Sequence, residues 1–104
     1  MTDFIQVSTT AGSREEADRI AQTLVDRRLA GCVQVVGPIH SVYRWNGQIE
    51  QADEWLCLVK TGNHQFAAVE AAIRELHSYD CPEIISTPIS AGSAAYLAWI
   101  AEQL

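Results

Sequence analysis

The sequence has few basic residues. Its 104 residues contain 7 Lys and Arg against 13 Asp and Glu, which gives a formal net charge of −6 at pH 7. Proteins that bind nucleic acids neutralise phosphates with clustered Lys and Arg, whereas the basic residues here are scattered. We therefore predict no nucleic-acid partner. At low salt this charge favours small cations or cationic partners over anions.

Long apolar segments are also lacking. No stretch approaches the roughly 20 apolar residues that cross a bilayer as a helix, so we predict no membrane partner. The first ten residues, MTDFIQVSTT, place no basic segment ahead of an apolar one. A signal peptide needs that arrangement, and we therefore expect a cytoplasmic location.

Cysteine is scarce, and its spacing excludes the common cysteine motifs. Cys32, Cys57 and Cys81 cannot all pair within one chain, and none belongs to a C-x-x-C pair. This spacing excludes a zinc ribbon or a thioredoxin-type redox site and predicts three free thiols. A structural metal needs about four well-placed ligands, so we expect metal binding to be weak and not to hold the fold together.

Three segments have the spacing and the end signals of helices. Ser13 and Glu16 fit a capping box at the start of the first helix, and Gly31 is placed to cap its end in the left-handed conformation. Asn63 is a candidate N-cap for the second helix, and Ser93 for a short helix near the C-terminus. Behind the first two caps, apolar residues recur at helical spacing.

The remaining segments are typical of strands. Asn46-Gly47 is the favoured dipeptide of a two-residue type I′ turn, so residues 32–61 predict one long hairpin. Gly37-Pro38 predicts a bulge in its first arm, because proline cannot donate to the sheet ladder. Without a bulge, the turn would place Cys32 opposite Thr61. The proline-flanked segment 82–88 predicts an edge strand.

The order of elements is strand, helix, strand, strand, helix, strand and a helical tail. It predicts one α+β domain over residues 1–104, a ferredoxin-like split β-α-β sandwich with a long central hairpin and a C-terminal helix. Each hairpin arm has roughly 14 residues against the usual 5 or 6, too many for one small domain to cover. Tyr43, Trp45 and Ile49 on the far half therefore predict a closed homo-oligomer.

A set of ordered segments gives a more specific signal. They are LAGCV at 29–33, SVYRWNGQIE at 41–50, Glu54, KT at 60–61, HSYDCPEII at 77–85 and YLAWI at 96–100. Together they resemble the CutA family of divalent-cation tolerance proteins over nearly the whole chain. The resemblance implies a ferredoxin-like fold, a cytoplasmic homotrimer whose hairpins pair between subunits, and tolerance of copper and other divalent metals. It implies no established enzymatic activity.

Cys32 and His77 are the candidate metal ligands, because thiolate and imidazole select copper or zinc. The copper site proposed for some bacterial members has a Cys where this chain has Thr9, and a His pair where it has Leu76-His77. Only His77 carries over, so we expect copper or another divalent cation to bind weakly. The alternative is that Cys32 is simply buried and His77 is a hydrogen-bonding group at a helix end.

Other polar and aromatic residues that match the family are candidates for a ligand site or a subunit interface: Tyr43, Trp45, Glu50, Glu54, Lys60, Tyr79, Glu83 and Trp99. Lys60 beside a Glu suits an ion pair that closes the sheet edge. The alternative is a crevice between subunits that holds a small anion or a metal complex.

Such a crevice would suit a second class of protein, a small-molecule-sensing signalling module of the nitrogen-regulatory (PII-like) type. A sensor of that type needs a mobile loop to present to its partner, and the two-residue hairpin turn offers none. Nucleophilic catalysis by Cys32 would need a neighbouring His to lower its pKa, and the sequence places none beside it. We therefore predict that the chain is not an enzyme.

Overall fold

A computed structural model describes residues 3–104 of the chain. It contains strands β1 (Phe4–Ala11), β2 (Cys32–Trp45), β3 (Gln48–Gly62) and β4 (Ile85–Pro88), and helices α1 (Arg14–Asp26), α2 (Phe66–Leu76) and α3 (Ala94–Glu102). The strands form one antiparallel sheet in the order β2-β3-β1-β4. This architecture confirms the predicted α+β fold of ferredoxin-like type. No helix within the described residues is long and apolar enough to span a membrane.

The long hairpin β2–β3 has the predicted turn and the predicted bulge. Asn46 and Gly47 both have positive φ, 50° and 76°, as a type I′ turn requires. The register shifts by one residue between Val36 and Ile39, so Cys32 lies opposite Lys60 rather than Thr61. A Cβ on Gly37 would overlap the Trp55 ring, which explains a glycine at the bulge.

The hydrophobic core lies between one face of the sheet and helices α1 and α2. Its largest fully buried side chains are Val7 and Val59 from the sheet, Ile20 and Leu24 from α1, and Val69 and Ile73 from α2. Because side chains alternate along a strand, Leu56 and Leu58 point to the opposite face, where they are half-buried. The chain therefore has one well-packed sheet face and one that is more open.

Helix α1 begins as predicted but ends earlier. The Ser13 hydroxyl accepts a hydrogen bond from the Glu16 amide at 3.2 Å, which confirms the N-cap. The predicted cap at Gly31 is wrong, because Arg28 takes the left-handed conformation with φ 57°. The Leu29 amide donates to the Leu24 carbonyl at 2.9 Å, the bond that closes a Schellman motif.

Gly31 has a packing role instead of a capping role. A Cβ at this position would lie 2.9 Å from the Ile100 Cδ1 atom and 3.2 Å from the Ile100 Cα atom. Helix α3 can therefore approach the start of β2 only because residue 31 has no side chain. Local sequence pattern cannot separate these two uses of glycine.

The other two helices differ in how well their caps were predicted. Ser93 caps α3 as predicted, since its hydroxyl accepts from the Tyr96 amide at 3.3 Å. Asn63 makes no side-chain cap, so that prediction is wrong. It begins a 3-10 turn, Asn63–Gln65, that precedes α2, and its amide donates to the Asp3 carbonyl at 2.8 Å. This turn separates Asn63 from the first residue of α2.

Strand β4 lies at a sheet edge, as predicted, but it starts at Ile85 rather than at Pro82. It pairs only with Ile5–Ser8 of β1. Beyond that pairing, the side chain of His77 bonds the Thr10 carbonyl. Residues 77–84 consequently form a loop beside the end of β1, and this loop borders the candidate site.

Candidate functional site

A cavity of about 680 Å³ lies between the middle of the hairpin and the loop 77–84. Its volume is within the range of roughly 300–1,000 Å³ that is usual for small-molecule sites. Its lining contains five of the residues predicted as ligand or interface residues: Tyr43, Trp45, Glu54, Tyr79 and Glu83. The fold therefore gathers side chains from both hairpin arms and from a loop that is distant in sequence.

Glu54 is the most buried acidic residue of this cavity, with only 7% of its surface exposed. The Tyr79 hydroxyl donates to its Oε2 atom at 2.8 Å. Burial, and then the hydrogen bond to Glu54, raise the pKa of Tyr79 to about 12. The phenol therefore remains a donor at neutral pH and fixes one oxygen of the Glu54 carboxylate.

Tyr79 is itself held by His77 and Gly12. His77 Nε2 lies 2.7 Å from the Thr10 carbonyl, which can only accept, so Nε2 carries the proton. His77 Nδ1 then accepts from the Tyr79 amide at 3.1 Å, and the two rings lie 4.8 Å apart between centroids. A Cβ on Gly12 would lie 3.0 Å from the Tyr79 hydroxyl oxygen. The bond to Thr10 thus holds the His77 ring, and Nδ1, which also lies 3.4 Å from Glu16 Oε2, positions the backbone of Tyr79.

The cavity is acidic. Glu54, Asp80 and Glu83 line it, and no Lys, Arg or His is among its lining residues within 3–104. Burial raises the pKa of Glu83, and the negative charge of Glu54 raises it further. Such a site attracts cations and repels anions. The small anion considered from the sequence does not suit this cavity.

Lys60 and Glu50 lie outside the cavity and far from each other. Ten residues of β3 separate them, which is about 33 Å along a strand. The ion pair predicted for Lys60 is absent among the described residues, and its ammonium donates to Gln34 Oε1 instead. The register explains this choice, because Cys32 pairs with Lys60 and Gln34 is two residues further along the same strand face.

Cys32 and His77, the predicted metal ligands, are not brought together within one chain. Cys32 is half-buried beside Tyr96, whose pKa is raised by burial and then by the thiol, and Trp99 stacks on Tyr96 with ring centroids 5.8 Å apart. His77 contacts Thr10, which lies two strands across the sheet and four residues along it from Cys32. That separation is about 16 Å. A site that uses both ligands stays a prediction that requires a second subunit.

The described residues contain no group of three or more His, Cys, Asp or Glu side chains placed to hold a metal ion. At the position where some family members carry a copper-binding Cys, Thr9 is fully buried and its hydroxyl has no hydrogen-bond partner among residues 3–104. A hydroxyl is a poor ligand for copper compared with a thiolate. The donor set of one chain therefore does not form a closed metal centre.

The lining residues that are not among those predicted are Thr10, Ser41, Val42, Asp80, Cys81 and Pro82, and Gly12, which lies against Tyr79, is not predicted either. Asp80 lies inside the segment 77–85, whose density of polar residues ahead of Pro82 is a signal that could have identified it. Gly12 has no such signal, because its role depends on the approach of Tyr79, which is 67 residues away along the chain.

Comparisons with known proteins agree with this fold. The CutA1 divalent ion tolerance protein family matches residues 5–103. The divalent-cation tolerance protein CutA of Thermus thermophilus is 43% identical over 96 residues, which cover 92% of this chain and 93% of that protein. The corresponding protein of Archaeoglobus fulgidus is 43% identical over 102 residues, or 98% of this chain and 97% of that protein. The solved Archaeoglobus structure is described as that of a periplasmic protein.

Solved structures match the whole architecture. The Thermus thermophilus protein superimposes with a TM-score of 0.94 at 41% identity, covering 96% of this chain and 97% of its own. CutA from Xylella fastidiosa gives a TM-score of 0.95 at 34% identity, with 98% of both chains covered. Fold, chain length and sequence agree, and the chain belongs to the CutA family of divalent-ion tolerance proteins.

Proposed function

We propose that this chain is a non-enzymatic, cytoplasmic homotrimer that contributes to tolerance of divalent cations and binds them weakly. Its family membership supports the tolerance role. The observation that carries the proposal is the acidic cavity, which Glu54, Asp80 and Glu83 line without a basic residue among the described lining. An aqueous cation is attracted to such a site.

Weak rather than tight metal binding follows from the ligands. Carboxylate oxygens of Glu54 and Glu83 suit hard divalent ions, and the neighbouring Cys81 thiol adds a softer donor at the rim. With fewer than three suitable ligands grouped within residues 3–104, a bound ion would keep most of its water. A site that uses His77 would also have to break the hydrogen bond from the Tyr79 amide to His77 Nδ1.

The homotrimer is supported by apolar residues that the single chain leaves uncovered. On the far half of the hairpin, Val42 is 60%, Trp45 53% and Ile49 65% exposed. On α3, Tyr96 and Trp99 are also exposed. Exposed apolar residues in this number support a subunit interface, and a closed cyclic assembly would bury them in every copy.

The absence of catalysis and the reducing location are supported by the thiols. Burial raises the pKa of Cys57 to about 11, so it is a thiol rather than a nucleophilic thiolate at neutral pH. Cys32 lies beside Tyr96 instead of a histidine. All three cysteines are unpaired, which suits a reducing compartment. The PII-like alternative gains nothing from the cavity, because a phosphate-bearing effector needs basic residues.

Growth on rising copper concentrations tests the tolerance role, in a bacterial strain that lacks its own CutA protein and carries this chain or a variant. We expect the wild-type chain to raise the highest copper concentration that permits growth. The double variant Glu54→Gln, Glu83→Gln should lose that gain at equal protein level. Glu15→Gln, the same chemical change at an exposed residue of α1, is the control. No gain from the wild-type chain would contradict the tolerance role, and equal gains from all variants would exclude the cavity from it.

Binding strength has a separate test in purified, reduced protein. Calorimetric titrations with Cu(I), Cu(II) and Zn(II) should show weak association, and a chelator should leave the melting temperature unchanged. The thirteen buried hydrophobic residues within 3–104 support a fold that does not depend on a metal centre. A fall of several degrees with chelator, reversed by adding back one metal, would contradict weak and non-structural binding.

A further inference from the structure

The open face of the sheet, which helices α1 and α2 leave uncovered, carries opposite charges at two places along β3. Val59 is buried under the helices, so alternation along the strand turns Lys60 and Glu54 to the open face. Lys60 lies at the base of the hairpin, whereas Glu54 lines the acidic cavity together with Glu83. One surface of the chain therefore carries both a positive and a negative patch.

Neither patch has its counter-charge within residues 3–104. The cavity has no Lys, Arg or His among its described lining residues, although Glu54 is only 7% exposed. The half-buried Lys60 donates to the side-chain oxygen of Gln34 and forms no ion pair in this part of the chain. Six residues of β3 separate Lys60 from Glu54, about 20 Å along a strand, which is further than a lysine side chain reaches. Both charges would gain from a counter-charge in a second molecule.

The other cations of the chain are engaged or lie elsewhere. Four arginines pair with carboxylates of their own chain: Arg14, Arg19, Arg27 and Arg74. Arg28 and Arg44 donate to backbone carbonyls. Tyr43 pairs with Glu50 on the open face, so the next residue, Arg44, points to the opposite face. Among the strands of residues 3–104, Lys60 is thus the one Lys or Arg on the open face, and it has no carboxylate partner.

We propose that, in the assembled protein, Lys60 of the partner subunit enters the acidic cavity and pairs with Glu54 and Glu83. This contact rests on the homotrimer of the proposed function, and it specifies how the subunits meet. Each subunit presents its Lys60 to one neighbour and its cavity to the other, a head-to-tail contact that can close as a ring. One ammonium offsets one of the three carboxylates that line the cavity, so negative charge remains to attract divalent cations.

Apolar side chains accompany both patches. Trp45 lines the cavity and is 53% exposed. At the other patch, Lys60 pairs in register with Cys32, which lies beside Tyr96, and Trp99 stacks on that ring. Contact between two such surfaces would exclude water from the ion pair, and opposite charges attract more strongly away from water.

Charge reversal tests the contact through the oligomer mass measured on dilution. Lys60→Glu and Glu83→Lys each bring like charges together and should weaken association by at least about tenfold. The double variant Lys60→Glu, Glu83→Lys places opposite charges together again and should regain most of the association, which damage to the fold would not do. Arg74→Glu, at an exposed position of α2, is the control that should keep the wild-type mass.

A zero-length crosslink tests the same contact in the wild-type protein. A carbodiimide joins an ammonium to an adjacent carboxylate as an amide and takes up the released water as a urea. A link between subunits should give covalent dimers and trimers on a denaturing gel, with Lys60 joined to Glu54 or Glu83 in the digested peptides. Lys60→Arg is the matched control, because it keeps the charge and should keep the mass, but a guanidinium forms no such amide.

The outcomes separate this contact from the proposed function. If the wild type is a trimer and Lys60 forms no crosslink to Glu54 or Glu83, the contact is wrong and the homotrimer stands. A crosslinked trimer whose mass withstands both single reversals would show proximity without an ion pair, which also overturns the contact. If Arg44→Glu dissociates the trimer and Lys60→Glu does not, a different cation fills the cavity. A monomeric wild type would refute the contact and the homotrimer together.

Discussion

The two halves of the β2–β3 hairpin have opposite surroundings. Near its base, Cys57 and Val59 are fully buried under the helices. Toward the turn, Trp45 and Ile49 are more than half exposed. Strand geometry is the same in both halves, so the difference comes from the helices, which cover only the base.

The contrast indicates that the base of the hairpin serves folding, whereas its distal half is available for recognition. The base supplies the buried apolar area that stabilises the chain on its own. The distal half carries exposed apolar residues and, with Tyr43, Glu54 and the loop 77–84, the acidic cavity. Its apolar side chains are left exposed by the described part of the single chain.

Matched truncations in the two halves should show the largest difference. Ile73→Ala empties a fully buried position against the base of the sheet and should cost about 2–5 kcal/mol of unfolding free energy. Ile49→Ala makes the same chemical change at a residue that is 65% exposed in one chain. In a lone chain it should cost less than about 0.5 kcal/mol.

Urea unfolding at several protein concentrations decides between a lone chain and an oligomer. We expect Ile49→Ala to lower the free energy of unfolding by more than about 0.5 kcal/mol, because a subunit interface buries the side chain. The size of this loss should depend on protein concentration. A small cost that is independent of concentration would mean that the distal half stays open in solution.

A charge in the distal half should have the next largest effect. Ile49→Asp places a carboxylate in the proposed interface, where burying an unpaired charge is unfavourable. Light scattering should give three times the chain mass of 11.5 kDa for the wild type and a lower mass for the variant. Val25→Asp, at an exposed residue of α1, is the control that should keep the wild-type mass. A monomer mass for the wild type would refute the oligomer itself.

A smaller effect is expected where the base meets the cavity. Tyr79→Phe removes the hydrogen bond to Glu54 beside a buried carboxylate and should cost about 1–3 kcal/mol in thermal unfolding. Gly12→Ala places a methyl group 3.0 Å from the Tyr79 hydroxyl oxygen, so the ring must shift by a few tenths of an ångström. That variant strains the same hydrogen bond without removing it and should cost less than Tyr79→Phe. If both variants match the wild type, Tyr79 does not stabilise Glu54.

The hairpin could be predicted because short-range constraints determine it. Asn46-Gly47 tolerates the positive φ of a type I′ turn, and Gly37-Pro38 interrupts the ladder whatever lies around it. The end of α1 could not be predicted in the same way. Gly31 offers a left-handed cap in isolation, but its contact with Ile100 uses it for packing, and Arg28 accepts the strained conformation.

Five residues that line the cavity could be predicted from the sequence, but their arrangement could not. The resemblance supplied Glu54 and Tyr79, but their contact depends on how the loop 77–84 folds back onto β1. His77 shows the limit most clearly, because one of its hydrogen bonds reaches Thr10, 67 residues away. A residue type that is common in metal sites is, in this chain, a positioning group for a tyrosine.

The smallest effect concerns the pH dependence of the cavity. The pKa of Glu83 is raised in the folded chain, mainly by burial and then by Glu54, so the folded state binds a proton more tightly than the unfolded state. The associated stability is present below the ordinary Glu pKa and is lost as the pH rises through the raised value. Glu83→Gln cannot ionise and should keep its stability over that window, while the wild type loses a small amount because Glu83 is largely exposed to solvent. As the pH rises from 4 to 8, the urea midpoint of the variant should therefore come to exceed that of the wild type, and parallel curves would show that the pKa of Glu83 is not raised in the folded chain.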